Sequence, residues 1–255
     1  PGKSATPQQL NEFKEQSRNA KLSTQGRIRI QRLRQNLDQD GYKNRILCMS
    51  MDGSYANKEI LRGIPPNTTI ICRIRKDCKL YEPPNCQPTV GRKKSYGKML
   101  PTPEQIRQSE QLLWTKVEAW AAGKSHLFNV KVIPQVKWRS AGQGTLMQLV
   151  VIRPIGYRLT KTSKVLYRDP AYLLCTDPSL NINDLLQGYL WRWEIEVNFR
   201  DEKTLLGCGQ AQVRNPNSLE KAPGFTVAMY ALMHLAAFVS NRKRDDQVLP
   251  KPCWD

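Results

Sequence analysis

The sequence contains few residues of the types that bind transition metals. Only two of its 255 residues are histidines, His126 and His234. Its seven cysteines include no Cys-x-x-Cys pair, the spacing that is typical of structural zinc sites. An odd number of cysteines in a chain of this length, with no signal peptide, favours reduced thiols over a disulfide framework. These absences argue against a structural zinc centre and favour a cytosolic protein.

Long apolar runs and common catalytic motifs are also missing. The longest apolar run, Phe225 to Val239, has 15 residues, whereas a transmembrane helix needs roughly 20. We predict a buried helix there, with His234 in the core, and no membrane partner. No Gly-x-Ser-x-Gly elbow or dinucleotide fingerprint occurs. The segment Gly91 to Met99 has five residues between its glycines, where a phosphate-binding loop needs four, and is interpreted as an exposed basic loop.

Acidic residues are scarce relative to basic ones. Lys and Arg number 40 against 22 Asp and Glu, which gives a formal net charge of +18. Such an excess favours a polyanionic partner, above all nucleic acid. A basic protein of the membrane surface is less well supported, because the basic residues are spread along the whole chain and not gathered on one amphipathic helix.

The spacing of the apolar residues predicts a chain of mixed helices and strands, an α/β fold. Two helical pieces are expected between Pro7 and Leu37, with an interruption near residues 22–26. Further helices are expected at residues 56–62, 103–122 and 183–206 and after Gly224. Strands are expected at residues 45–51, 68–75, 130–139, 145–159 and 172–176. Residues 76–103, rich in Pro, Lys and Arg, are expected to form an exposed loop.

Four polar residues in the predicted helix 183–206 form the most distinctive pattern of the chain. Tyr189, Arg192, Glu196 and Lys203 are separated by three, four and seven residues. In a continuous α-helix they project within roughly 60° of one another. A solvated helix face with a Glu196–Lys203 pair explains this poorly, because seven residues are two turns, too far for the usual pair on a helix surface.

A second candidate carboxylate follows a predicted strand. Asp52 comes directly after the apolar strand that ends at Met51, at the carboxyl edge where open α/β sheets bind ligands. Carboxylates bind divalent metals, while Arg, Lys and Tyr contact phosphates. These are the components of metal-dependent phosphoryl transfer, in which two ions about 4 Å apart activate the attacking oxygen and stabilise the leaving oxygen.

The spacing Tyr-x2-Arg-x3-Glu-x6-Lys, which begins at Tyr189, resembles the signature of insertion-sequence DDE transposases of the Tyr-Arg-Glu-Lys group. Asp52-Gly-Ser-Tyr55 also resembles the second acidic motif of that family, and the long β-rich interval before Glu196 resembles its insertion. The resemblance covers the chain roughly from Leu37 to Phe238. It implies an RNase H-like fold, a mixed sheet flanked by helices, with a β-rich insertion before the helix that carries Glu196.

The resemblance also implies an enzyme that cleaves and joins DNA strands. Asp52 and Glu196 would bind Mg²⁺ or Mn²⁺, with two ions expected. Tyr189, Arg192 and Lys203 would hold the DNA. The basic residues of the second strand and of the exposed loop are further candidates for DNA contacts: Arg73, Arg75, Lys93 and Lys94. Partners would be the double-stranded DNA of transposon ends and target, with a possible homodimer in a bacterial cytoplasm. Trp191 and Trp193 are expected to pack against the sheet.

The resemblance divides the chain into a linker and helical segment (1–36), two parts of the RNase H-like core (37–76 and 171–242), an insertion (77–170) and a tail (243–255). It also requires a first aspartate. Asp38 and Asp40 are only 14 and 12 residues before Asp52, in turn-like sequence, and neither fits. We expect the first strands, this aspartate and any amino-terminal DNA-binding domain to precede Pro1.

Two other interpretations remain open. The chain could be a truncated remnant that binds DNA without catalysis, through the same cationic residues. A basic RNA-binding module is the third possibility, although the sequence lacks the aromatic strand motif of RNP-type domains.

Overall fold

The structure is a computed structural model that describes residues 6–241, apart from residues 86–90, 92, 122–123, 159, 161 and 213. Its contacts divide the chain into two compact units, Pro1–Arg192 and Trp193–Asp255. The helices of the first unit are α1 (Pro7–Asn19), α2 (Leu22–Gln39), α3 (Lys58–Leu61), α4 (Pro103–Gln108) and α5 (Ile182–Leu190). Its strands are β1 (Leu47–Met51), β2 (Thr68–Arg73), β3 (Thr115–Ala121), β4 (Lys124–Lys137), β5 (Leu146–Ile152), β6 (Gly156–Tyr157), β7 (Leu166–Tyr167) and β8 (Ala171–Cys175).

Two of these helices begin with a capping box. Thr6 and Thr102 each accept a hydrogen bond from the backbone of the residue three positions later, Gln9 or Gln105, whose side chain in turn accepts from the threonine backbone. A proline follows each threonine at the first helical position, where a missing N–H costs nothing. The sequence Thr-Pro-x-Gln therefore fixes the start of α1 and of α4.

Six strands form one mixed sheet in the order β1-β2-β8-β5-β4-β3. Only β1 and β2 are parallel, with Met51 opposite Cys72; each of the other neighbouring pairs is antiparallel. The register of β4 against β5 shifts between Ile133 and Val136. Pro134 lies in this bulge, a place where a strand tolerates a residue without an N–H. The chain is thus an α/β protein, as the sequence predicts.

Apolar side chains cover both faces of the sheet. One cluster contains Ile70, Cys72 and Leu149, together with residues of α2, α3 and α4. The other contains Ile71 and Val150, together with the buried side chains of α5. Burial on both faces explains why β2, β5 and β8 are mostly apolar and lack the alternation of a half-exposed strand.

Hydrogen bonds from Arg34 connect α2 to the segment that leads into β1. The Arg34 side chain is only 3% exposed. It donates to the carbonyl oxygens of Tyr42 at 2.9 Å and Arg45 at 2.6 Å, and it forms an ion pair with Asp38 at 2.8 Å. The buried charge is therefore satisfied by acceptors on the segment that it positions.

Lys131 of β4 is a second buried cation, also 3% exposed. Its Nζ donates to the carbonyl oxygens of Ile106 and Arg107 at 3.0 Å and of Ser109 at 2.5 Å, and it lies 4.4 Å from the centre of the Trp114 ring. These carbonyls are the acceptors that the end of α4 leaves without helical partners. Burial lowers the pKa of Lys131 below its usual value.

The second unit contains α6 (Glu194–Thr204) and α7 (Pro216–Asn241). Tyr230 of α7 donates to the side chain of Asp201 of α6 at 3.3 Å, and its ring meets that of His234 edge-on at 4.4 Å. The segment Pro216–Ser240 is long and apolar enough to cross a membrane by length and composition alone, with a mean hydropathy of 1.5. Its side chains are not buried in the structure, and His234 is exposed, so the prediction of a buried helix with a core histidine is wrong for the second unit as it stands.

Two further predictions of secondary structure are wrong. The helix expected at residues 103–122 ends at Gln108, and residues 115–121 form β3. Within this range Val117 is buried, while Leu113 is 85% exposed and Trp120 is 55% exposed. Val117 and Ala119 point inward between exposed neighbours, which is the period of a strand.

Two helical segments were correctly predicted between Pro7 and Leu37, although the break lies at residues 20–21.

The helix expected at residues 183–206 is also interrupted. Residues Trp191–Trp193 form a 3-10 turn between α5 and α6. Because a 3-10 turn has three residues per turn and a longer rise than an α-helix, the angles assumed for one continuous helix do not hold across it. Trp191 and Trp193 are 61% and 57% exposed, contrary to the expectation that they are packed.

Candidate functional site

Asp52 lies where the sequence predicts it, directly after β1 and exposed to solvent. Its backbone is extended and leads into a short 3-10 turn, Gly53–Tyr55. Because Met51 pairs with Cys72, the next residues of the two parallel strands, Asp52 and Arg73, lie at the same carboxyl edge. A side chain on Gly53 would come within 3.3 Å of the Arg73 carbonyl oxygen, so glycine permits this close approach.

Helix α5 carries Tyr189 to this edge, and the 3-10 turn that follows α5 carries Arg192. Ser50 of β1 donates to the carbonyl oxygen of Gly188 at 2.6 Å, which ties the end of α5 to β1. The Arg192 guanidinium lies 5.8 Å from the centre of the Tyr189 ring. Burial raises the pKa of the Tyr189 phenol, the nearby Arg192 and Arg73 oppose this shift, and Asp52 adds to it.

The pairing of β1 with β2 and the contact of β1 with the end of α5 bring four of the predicted site residues to one edge: Asp52, Arg73, Tyr189 and Arg192. The effects of Arg192, Arg73 and Asp52 on the pKa of Tyr189 agree with this arrangement. Sequence separation gives no hint of this, since Asp52 and Tyr189 are 137 residues apart. The parallel pair β1–β2 and the packing of α5 on it bring them together. All four belong to the first unit.

Glu196 and Lys203 belong to the second unit. Both are exposed and both lie on α6. The seven-residue interval between them is therefore within one α-helix, which keeps them on one face, two turns apart. Arg192 lies within the 3-10 turn Trp191–Trp193, which interrupts the helical spacing between Tyr189 of α5 and this pair.

A cavity of about 1030 Å³ begins at Gly53, the residue that follows Asp52. Its walls are formed by Gly53, by the loop that follows β2, by α4, and by Trp138 and Tyr172. Five cations line it, Arg73, Arg75, Lys76, Lys79 and Arg107, together with three carboxylates, Asp77, Glu104 and Asp169. Cations are thus in excess by two. The sequence identifies Arg73 and Arg75 here but misses the others, although the run Arg73 to Lys79 holds four basic residues in seven positions.

Two of the three cavity carboxylates are paired with arginines. Arg75 donates to both oxygens of Asp77, at 3.0 and 3.1 Å. Arg107 donates to both oxygens of Glu104, at 2.8 and 2.6 Å, and the Tyr172 hydroxyl donates to Glu104 as well. The Arg107 hydrogen bonds lower the pKa of Glu104 to about 2. The pKa of Tyr172 is raised to about 12, first by burial and second by the hydrogen bond to Glu104.

Lys93 and Lys94 lie elsewhere, on the exposed part of the loop between β2 and α4. This loop is held to the end of β4 by a hydrogen bond from Lys137 Nζ to the Ser95 carbonyl oxygen at 3.1 Å. Neither lysine lines the cavity. They remain candidates for contacts farther along a bound polyanion.

The residues described do not by themselves form a metal centre. No group of three or more His, Cys, Asp or Glu side chains among them is placed to hold a metal ion. Asp52 is a single carboxylate in the first unit, and an Mg²⁺ site needs several oxygen ligands. A metal at Asp52 would need further oxygen ligands.

No model of a known protein family matches this chain, and no curated protein matches it. The function of the site must therefore be inferred from its own residues.

Proposed function

We propose that this chain is the carboxyl-terminal part of a DDE transposase catalytic domain. Its RNase H-like core would cleave transposon-end DNA and join it to target DNA by metal-dependent phosphoryl transfer. The observation that carries the proposal is the convergence of Asp52, Arg73, Tyr189 and Arg192 at the carboxyl edge of β1 and β2. One carboxylate surrounded by cations and a phenol suits a phosphate beside a divalent ion.

The order of the strands supports the RNase H-like assignment. The parallel pair β1–β2 with its terminal aspartate corresponds to the second acidic motif of the family. The antiparallel strands β3, β4, β5 and β8 extend the sheet on the β2 side and correspond to the expected β-rich insertion. The other side of β1 pairs with none of the strands in the described residues, and parallel strands are usually interior. A further strand beside β1 would bring a third carboxylate next to Asp52.

The proposed roles follow from chemistry and placement. Asp52 and Glu196 are the metal-binding carboxylates, and the bound Mg²⁺ would supply Lewis-acid activation of the reacting oxygens. Tyr189 and Arg192 hold the phosphate beside Asp52, and Lys203 of α6 makes a further contact with the DNA. The net charge of +18 favours approach to double-stranded DNA.

A non-catalytic DNA-binding remnant is the second candidate. It is favoured by the absence of a three-carboxylate group among the described residues. It predicts the same DNA affinity, with no requirement for Asp52 or Glu196.

Iron-directed cleavage of the polypeptide separates the two candidates without requiring catalysis, and is run on the chain together with any segment that supplies further oxygen ligands. Fe²⁺ would replace Mg²⁺, and ascorbate with peroxide would generate hydroxyl radicals that cut the backbone beside the ion. Cuts near both residue 52 and residue 196, suppressed by excess Mg²⁺ and lost in Asp52→Asn, would support a shared metal. Cuts at neither position, or cuts that persist in Asp52→Asn, would favour the remnant. Asp40→Asn, an exposed carboxylate at the end of α2, is the matched control.

A plasmid-nicking assay with Mn²⁺ tests catalysis itself. Nicking that disappears in both Asp52→Asn and Glu196→Gln, while duplex binding in EDTA is retained, is the expected result for a complete site. Nicking by Glu196→Gln at the wild-type rate would exclude Glu196 as a metal ligand. The assay should be run on the chain together with any segment that supplies the third carboxylate.

A further inference from the structure

The cavity lies at the end of β1, next to Asp52 in the chain. Gly53 forms one of its walls and directly follows the candidate metal ligand. A strand of DNA whose phosphate lies at Asp52 therefore has a recess next to it, between the loop after β2 and α4. This recess belongs entirely to the first unit.

The size of the cavity selects against a duplex. A volume of 1030 Å³ is that of a cube with an edge of about 10 Å. The major groove of B-DNA alone is roughly 12 Å wide, and the whole duplex is wider still. The cavity is therefore too narrow to enclose a double helix. One or two nucleotides can enter it, since pockets of roughly 300–1,000 Å³ hold drug-sized ligands.

The cations that line the cavity differ in their partners. Arg75 and Arg107 are paired with Asp77 and Glu104. Arg73, Lys76 and Lys79 are exposed, and among the residues described they form no ion pair with a carboxylate. The Arg73 guanidinium makes one long hydrogen bond, to the Pro170 carbonyl oxygen at 3.4 Å. These three side chains are available for phosphates, while the paired arginines form the wall.

Trp138 supplies an aromatic surface in the same wall. It is partly buried and packs against the core cluster beneath the sheet, so its ring is held in place. Positively charged grooves with fixed aromatic rings are the usual means of binding single-stranded nucleic acid, in which bases stack on the ring and cations follow the backbone.

We infer that this cavity binds a short single-stranded DNA extension of one or two nucleotides, adjacent to the phosphate at Asp52. Arg73, Lys76 and Lys79 contact its phosphates, and Trp138 stacks on a base. The inference rests on the proposed function, because the extension continues the strand that lies at Asp52. It adds a preference for frayed or unpaired ends, which the +18 charge alone would not give.

Fluorescence anisotropy in EDTA tests this preference without metal or catalysis. The probes are one blunt duplex and the same duplex with a three-nucleotide single-stranded extension of either polarity. The expected result is an affinity about tenfold higher for one of the extended duplexes, since stacking and two phosphate contacts are added. Arg73→Gln/Lys79→Gln should reduce this ratio to below about twofold. Lys43→Gln/Lys116→Gln, which removes two exposed lysines far from the cavity, should weaken all probes equally and leave the ratio intact.

Quenching of tryptophan fluorescence gives a second readout that does not depend on the charge variants. The extended duplex should quench the wild-type protein more than the blunt duplex does, and Trp138→Phe should abolish the difference while circular dichroism remains unchanged. Equal affinity for blunt and extended duplexes, or a ratio that persists in Arg73→Gln/Lys79→Gln, would overturn the inference. Tighter binding of an RNA extension than of the DNA extension would overturn the assignment to DNA. The iron-cleavage result at residues 52 and 196 is independent of these outcomes, so a failure here is distinguishable from a failure of the proposed function.

Discussion

The two ends of the parallel pair β1–β2 use basic residues in opposite ways. At the amino end, Arg34 is buried and its acceptors are the Asp38 carboxylate of its own helix and carbonyl oxygens of residues that precede the two strands. At the carboxyl end, Arg73 of β2 and Lys76 and Lys79 of the loop after it are exposed around a cavity and form no ion pair with a described carboxylate. The first arrangement stabilises the fold. The second leaves charge available to a partner, at some cost in self-repulsion. Net charge alone does not separate these two uses.

The largest effect is expected from Arg34→Met. The substitution keeps the apolar stem but leaves the Arg45 carbonyl oxygen without its donor, and the Tyr42 carbonyl oxygen keeps only the Arg45 N–H. We expect a loss of about 3–5 kcal/mol in the free energy of unfolding, as for one member of a buried ionic network. Urea unfolding followed by circular dichroism measures it. Arg32→Met, exposed on the same helix, should change stability by less than about 0.5 kcal/mol; similar losses for the two variants would contradict the distinction between buried and exposed cations.

Lys131→Met is expected to destabilise the protein by about 2–4 kcal/mol, because three carbonyl oxygens at the end of α4 lose a charged donor. The damage should be local to α4 and the cavity wall that it forms. Hydrogen exchange of the α4 amides, measured beside those of β2, is the appropriate readout. Lys116→Met, on the neighbouring strand and exposed, is the control. Unchanged protection of α4 in Lys131→Met would show that the capping bonds contribute little.

The pairing of Glu104 predicts a dependence of stability on pH. Its pKa falls from 4.5 to about 2 in the folded protein, so the unfolded chain binds more protons between these values. The stabilisation is therefore fully present above about pH 4.5 and is lost as the pH falls towards 2. We expect a contribution on the order of 1–2 kcal/mol after solvent screening. Wild type should lose stability across this window relative to Glu104→Gln; parallel curves would exclude the ion pair with Arg107 as a source of stability.

The sequence predicted the core strands better than the elements around the cavity. Residues 47–51, 68–73 and 171–175 are mostly apolar runs ended by charged or turn residues, and burial on both faces in β2 and β8 leaves such runs little alternative. Strand β3 was missed because Thr102, Pro103 and Gln105 are genuine start signals of a helix, and no glycine or proline marks its end at Gln108. Only the alternation of Val117 and Ala119 with polar neighbours indicates the strand.

The candidate site, like the fold, could be predicted from the sequence only in part. Asp52 was identified because it ends a strand, and Tyr189 and Arg192 because they follow helical spacing. The 3-10 turn at Trp191–Trp193 was not foreseeable, since its residues carry no helix-breaking side chain. The cavity wall combines Gly53, Arg107, Trp138 and Tyr172, which are widely separated in the chain. Only the pairing of β2 with β8 and the packing of α4 bring them together, and no local pattern encodes that.

The smallest effect on stability, and the clearest on binding, is expected from Arg73→Gln/Lys76→Gln. Both side chains are exposed, so the free energy of unfolding should change by less than about 0.5 kcal/mol. If both contact phosphates of a single-stranded extension, the slope of log Kd against log salt should fall by roughly 1.4, since each such contact contributes about 0.7. Titrations of the extended duplex at several salt concentrations measure this slope.

Arg29→Gln/Arg32→Gln removes the same charge from the exposed face of α2 and controls for the general effect of net charge. It should lower affinity slightly and change the slope by less than half as much. Equal slopes for the two double variants would mean that the cations at the end of β2 act only through the overall field of the protein. A selective change would mean that they contact phosphates, and that basic residues at the two ends of the pair β1–β2 serve stability and binding separately.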